Sequence, residues 1–269
     1  MKYQEKIKEH LSKYKKKKFP TLKNGHWRGK EYGHILPSIC GKLNLLETYR
    51  NEFLKDDLSN IKFHQGFHHL NSSQAMCINF FFPLIMDKKL EIILQTLRFN
   101  NEKVKSVEFE KESDIDNKIG QRATNFDFYI ETVSGKKLYF EIKYTENEFG
   151  KAKSDNEHKK KYEQIYENAA EKTLKQAYNT CEKFLENYQI MRNLIHVDSD
   201  SYVIFVIPKD NERVYKQAVK AEDSVIEKYK NNVRILLWND LYNIIEKQNF
   251  TGKLETHFEE FKKKYELQI

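Results

Sequence analysis

The chain has 269 residues, 39% of them hydrophobic and 13% aromatic, enough to bury a sizeable core in one large domain or in a domain with appendages. That aromatic content excludes a disordered polypeptide despite 32% charged residues. The net charge of +7 points to an anionic partner such as nucleic acid, although a Lys-rich solvated surface gives the same balance. Cys40, Cys77 and Cys181 lie far apart with no CxxC or Cys/His cluster, so they read as reduced thiols and exclude a zinc site. The chain is charged from Lys2 onward, with no apolar signal region, and its most apolar run, residues 78–86, is far shorter than a bilayer span. The expectation is a cytoplasmic protein with no membrane partner.

Residues 1–19 read as a basic helix that includes Lys15, Lys16, Lys17 and Lys18, either a solvated helix end or a phosphate contact. Residues 24–37 form a loop rich in Gly, His and aromatics, with His26, Trp27, Arg28, His34 and Pro37; packing over a core explains it as well as a site does. Residues 43–58 have helical periodicity. Asn71, Ser72 or Ser73 can cap a helix whose run at 75–85 is apolar nearly all round and therefore buried. Pro83 should kink or end it, and a second helical segment follows at 87–97. His68 and His69 read as capping or packing groups.

Residues 103–110 alternate as a first strand, and residues 112–121 form a polar loop. Residues 125–143 read as two strands joined near Ser134 and Gly135, the first carrying Asp127, the second Glu141 and Lys143. Alternate strand residues share a face, so Tyr139, Glu141 and Lys143 point one way and Leu138, Phe140, Ile142 and Tyr144 point into a core. A polar loop at 145–155 and a long helical tract at 159–187, one helix or two, precede residues 188–193. Residues 201–208 are an apolar, β-branched run ended by Pro208, the mark of a buried central strand. A helix at 212–229, a strand at 233–238, a helix capped by Asn239 or Asp240, and an amphipathic helix at 254–267 complete the chain. This order favours a mixed sheet with helices on both faces.

The pattern of an acidic residue, any residue, then Lys occurs five times: Asp87/Lys89, Asp116/Lys118, Glu141/Lys143, Glu157/Lys159 and Glu260/Lys262. Only Glu141/Lys143 interrupts an apolar alternating strand, and only it follows a strand bearing Asp. Two carboxylates and an ammonium at one end of a buried sheet suit a divalent metal with a water beside it. For Asp127 to share their face, the paired residue numbers across the hairpin must sum to an even value, such as 127 with 143. That requires an odd loop, such as residues 134–136.

Asn125-Phe126-Asp127, then Phe140-Glu141-Ile142-Lys143, then a helix with Tyr188-Gln189 before another strand, resembles the PD-(D/E)xK nuclease superfamily, with Phe126 where the motif's name has proline. Leu70-Asn71-Ser72-Ser73-Gln74-Ala75 together with residues 188–193 is similar to a branch of bacterial restriction endonucleases. The likeness spans about residues 66–240, with a weaker one at 34–37. Gln74 stands near the place where many members carry a Glu.

The resemblance implies an α/β, restriction-endonuclease-like fold: a mixed central sheet flanked by helices, with helical additions at both ends. It divides the chain into an extension at 1–65 and a nuclease domain at 66–269. It implies a metal-dependent endonuclease that hydrolyses DNA phosphodiester bonds, in the manner of a bacterial restriction or defence enzyme. Asp127 and Glu141 would bind Mg²⁺, or Mn²⁺ in its place, helped by the Ile142 carbonyl. Lys143 would orient or deprotonate the attacking water, and Gln189 would support the site. Glu110 is a further candidate acidic ligand. The partner would be double-stranded DNA, with a homodimer suited to cutting both strands. The alternatives are a nucleic-acid-binding module that has lost catalysis, a repair nuclease or junction resolvase, and an edge-strand ion pair with no site at all.

Overall fold

The computed structural model describes residues 1–117 and 123–265. The chain divides into two compact units, Met1–Glu102 with Trp238–Ile269, and Lys103–Leu237. The expected cut near residue 65 lies inside the first unit, and the segment 66–269 is shared by both.

The first unit is mostly helical. Its basic N-terminal helix, Tyr3–Lys18, is less solvated than its composition suggests. Lys15 is buried and donates to Asn24 Oδ1 at 2.7 Å, and Lys18 pairs with Glu47 at 3.1 Å and Glu260 at 2.7 Å. The His/Trp-rich loop contains a short hairpin, β1 (Gly25–Trp27) and β2 (Lys30–Tyr32), and Trp27 packs edge-on to His69 at 4.8 Å. The apolar helix is Ser73–Met86, capped by Ser72, whose side chain accepts from the Ala75 N–H at 3.3 Å. Pro83 does not end it. A proline removes the donor that would reach the carbonyl four residues back. Here that carbonyl, on Asn79, takes a hydrogen bond from His257 Nε2 at 2.7 Å instead. Gln74, on the first turn, accepts from the His64 N–H at 2.9 Å and donates to the Lys62 carbonyl at 3.1 Å. The helix after residue 238 needs no cap from Asn239 or Asp240, because Trp238 is its first residue.

The second unit holds the sheet: β3 (Val104–Glu112), β4 (Asn125–Thr132), β5 (Lys137–Ile142), β6 (Ser201–Ile207) and β7 (Val233–Leu237), adjacent in that order. β3, β4 and β5 pair antiparallel; β6 and β7 run parallel to β5. This is the mixed, helix-flanked α/β sheet of the restriction-endonuclease-like fold. β5 is central, so the edge-strand ion pair is ruled out by position. Glu141 and Lys143 are also buried, at 3% and 6% exposure, so both faces of β5 are covered.

The expected helical tract at 159–187 is broken. It comprises Asn156–Lys161, a π turn at Tyr162–Tyr166, Glu167–Glu171 and, after a non-helical stretch, Cys181–Glu186 and Tyr188–Leu194. Likewise, the stretch 212–229 is a helix only over Glu212–Ser224. One core joins these segments to one sheet face: Phe126, Tyr129, Tyr139, Val203, Phe205 and Ile207 meet Tyr166, Phe184, Ile190, Met191 and Leu194. Removing such large apolar side chains from water is what holds helices on a sheet, at about 1.5–3 kcal/mol each.

Candidate active site

The hairpin of β4 and β5 sets the site. Phe128 pairs with Phe140 and Tyr129 with Tyr139, and the turn is Val133-Ser134-Gly135, closed by the Thr132 N–H on the Lys136 carbonyl at 2.9 Å. Gly135 has φ +92°, a left-handed backbone that costs glycine little. The loop has the required odd length but begins one residue earlier than expected. Carried on by one residue, this register would set Asp127 against Glu141 rather than Lys143, which keeps the even parity.

The regular pairing of β4 with β5 stops at Phe128 and Phe140. Beyond it the strands part, and the Asp127 side chain takes over, accepting the Ile142 N–H at 2.6 Å. The departure from regularity has two further signs. Phe126 packs on Tyr139 at 4.7 Å and His196 at 4.9 Å, whereas Phe128 packs on Phe109 and Phe140. Strict alternation would send both phenylalanines to one face. Across β3, Glu110 sits between two residues paired to Phe128 and Phe126, with φ +54°, a conformation that non-glycine residues rarely adopt. Asn125 Nδ2 donates to Glu110.

Glu141 leaves β5 on the face covered by the Tyr188–Leu194 helix. That helix buries Ile190, Met191 and Leu194 in the core, which turns Gln189 and Asn193, four residues apart, towards Glu141. Gln189 Nε2 donates to Glu141 Oε1 at 2.7 Å and Asn193 Nδ2 to Glu141 Oε2 at 3.1 Å. Lys143 Nζ donates to Glu141 Oε1 at 2.7 Å and to Gln189 Oε1 at 3.2 Å, and the Gly150 N–H donates to Gln189 Oε1 at 3.1 Å. The four residues expected from the sequence are thus neighbours: Lys143, Glu141 and Gln189 by direct hydrogen bonds, Asp127 through the Ile142 backbone.

The charges are unequal. Burial pushes the Asp127 carboxyl well above the usual carboxylate range, and Glu141 and Glu110 push it further; Lys143 and the Ile142 N–H only partly offset them. Burial also opposes the ammonium of Lys143, but Glu141, Glu146 and Asp127 outweigh it and hold that group above its ordinary range. Glu146 is tied in by accepting the Tyr144 N–H at 2.6 Å. Acidic charge here exceeds what one lysine compensates.

With this geometry in view, comparison with known proteins is informative. The model of the family described as restriction endonuclease associating with ARP matches residues 8–266. The chain belongs to this family. No curated protein and no solved structure matches it. The match covers nearly the whole length, so membership extends to the helical segments at both ends as well as to the sheet that bears the acidic cluster. Among the described residues, no helix of this family member is long and apolar enough to cross a membrane.

Beside the cluster lies a second buried ion pair that the sequence did not single out. Asp116 accepts from the Thr124 N–H and Oγ1 and from Tyr166 OH, each at 2.8 Å, and from Arg192 Nη2 at 2.9 Å. Burial opposes its charge, but these donors and the Arg192 charge outweigh it and hold the carboxyl well below the usual range. Arg192 also lies 5.0 Å over the Tyr188 ring. Two residues past the Tyr188–Leu194 helix, His196 meets Ser113 Oγ at 2.7 Å; burial drops its pKa to about 4, so it is neutral at pH 7. Asn193 and Glu146 are further members of the site that sequence reasoning passed over. Asn193 lies one helical turn beyond Gln189, which is the signal that could have found it. Glu146 lay in a polar loop with nothing to distinguish it. Lys118, the partner of Asp116 in its acidic triplet, lies outside the described residues.

Proposed function

We propose that this protein is a Mg²⁺-dependent endonuclease that hydrolyses phosphodiester bonds in double-stranded DNA, as a restriction or defence enzyme. The single observation that carries this reading is the convergence of Asp127, Glu141 and Lys143 where β4 and β5 part. Family membership supports it, and so does the net positive charge, which suits a polyanion.

The donor set fits a hard divalent cation. Asp127, Glu141 and the Ile142 carbonyl offer oxygen only; burial raises the Asp127 pKa first and the Glu141 and Glu110 charges add to it, and a cation relieves that repulsion. Among the described residues no three His, Cys, Asp or Glu side chains are grouped closely enough to hold a metal. Mg²⁺ can be held by two carboxylates, because it keeps several waters and takes oxygens from phosphate. When bound, Mg²⁺ supplies charge neutralisation on the phosphate and a more acidic water. Mn²⁺ would take the same donors.

The protein's own groups divide the remaining work. Lys143 is held protonated, so it orients water and stabilises charge on the phosphate oxygens as a donor; it does not start as a base. Gln189 fixes both Glu141 and Lys143, since its amide reaches each. Two-strand cutting calls for two such sites, which a homodimer would provide.

The test is incubation of purified protein with plasmid and Mg²⁺, followed by mapping of the ends. The wild-type protein should nick or linearise the plasmid. Lys143→Ala should fold, because Glu141 keeps its two amide donors, and should not cut. If that variant cleaves at the wild-type rate, the reading is wrong.

A further inference from the structure

The two amides that hold Glu141 are not equivalent. Gln189 is satisfied by protein at both ends: its Nε2 donates to Glu141, and its Oε1 accepts from Lys143 and Gly150. Asn193 donates to Glu141 Oε2, yet its Oδ1, on a residue 1% exposed, has no donor among the described residues. Turning the amide over does not help, because it would set the Asn193 oxygen against the Glu141 carboxylate, two acceptors face to face. The carboxylate therefore fixes which way the amide points and leaves a buried acceptor open beside the acidic cluster. A buried acceptor without a donor is destabilising, so an all-protein fold gains by replacing it with an apolar group.

We infer that Asn193 is a positioning residue of the site, holding Glu141 Oε2 with its NH₂ group while its carbonyl oxygen accepts a hydrogen bond from a water that enters with the divalent cation and DNA. This deepens the nuclease reading and rests on it. Glu141 is then gripped at both oxygens, by Gln189 and Lys143 on one and Asn193 on the other, so its free lone pairs face a fixed direction.

The experiment compares wild type, Asn193→Leu and Asn193→Asp in plasmid cleavage, in Mg²⁺ titration by calorimetry without DNA, and in metal-free melting. Asn193→Leu keeps the volume and removes both polar atoms. It should lower kcat at least tenfold with KM within about twofold, and weaken Mg²⁺ binding several-fold, while still melting cooperatively. Asn193→Asp replaces the donor by a second carboxylate. At alkaline pH it repels Glu141; once protonated it donates again. Its rate relative to wild type should therefore rise as pH falls, a trend that a merely structural loss does not produce. Should Asn193→Leu fail to fold, the pH profile of the near-isosteric Asn193→Asp decides. A flat ratio across pH, or an Asn193→Leu protein with wild-type kcat and Mg²⁺ affinity, overturns the positioning role and leaves the nuclease reading standing. An inert wild-type protein removes both.

Discussion

Asp116 and Glu141 begin as members of the same cheap pattern, an acidic residue two before a lysine, and end as two buried ion pairs in one unit. Their surroundings differ in one respect. Asp116 is met by the Thr124 N–H and hydroxyl, the Tyr166 hydroxyl and the Arg192 fork, enough donors to hold its carboxyl well below the usual range. Glu141 also has donors, the Gln189 and Asn193 amides, but the one cation bonded to it among the described residues, Lys143, is shared with Asp127 and Glu146, and burial, then the Glu141 and Glu110 charges, push Asp127 well above the usual range. A saturated pair locks structure. An unsaturated cluster is primed to take up something of opposite charge.

The largest expected effect is on the unsaturated side. Lys143→Ala should lower plasmid cleavage at least about 10²-fold, the scale on which removal of one preorganised donor is felt, while its melting curve stays cooperative. Loss of cooperative melting would turn the cluster into a structural feature and erase the contrast. The matching change on the saturated side should act through stability. Asp116→Ala leaves the Arg192 charge buried without its partner and should cost about 3–5 kcal/mol in chemical denaturation. A cost near zero would show that Arg192 finds another partner.

The smallest effect is the sharpest, because the two sides should move oppositely with pH. Asp116 has a depressed pKa, so its ionised form adds stability above the unfolded carboxylate value of about 3.9, and that gain is lost as pH falls towards the folded value. Asp127 has a raised pKa, so its proton-linked stability is complete below the unfolded value and is lost as pH rises through the folded one. At neutral pH without metal, Asp127→Asn should therefore stabilise the protein, whereas Asp116→Asn should destabilise it. Both differences should shrink below about pH 4, measured by thermal melts across pH. Equal signs at neutral pH would break the comparison.

What the sequence determined by itself is what strand periodicity and side-chain chemistry reach over short range. The alternation at 138–142 marked β5, and the acidic triplet inside it marked Glu141 and Lys143. Parity alone required an odd loop, and Val133-Ser134-Gly135 satisfies it. The β-branched run at 201–207 declared a buried strand. What only the tertiary structure decided is where separate elements meet. No local pattern states the rotation at which the Tyr188–Leu194 helix docks, so Asn193 looked like any polar residue, and nothing in the sequence joined Arg192 to Asp116, its partner across 76 positions. The covering of both faces of β5, the left-handed backbone at Glu110 and the parting of β4 from β5 are likewise set by neighbours distant in sequence. Burial and charge balance are sums over those neighbours, which is why two similar triplets reached opposite ends.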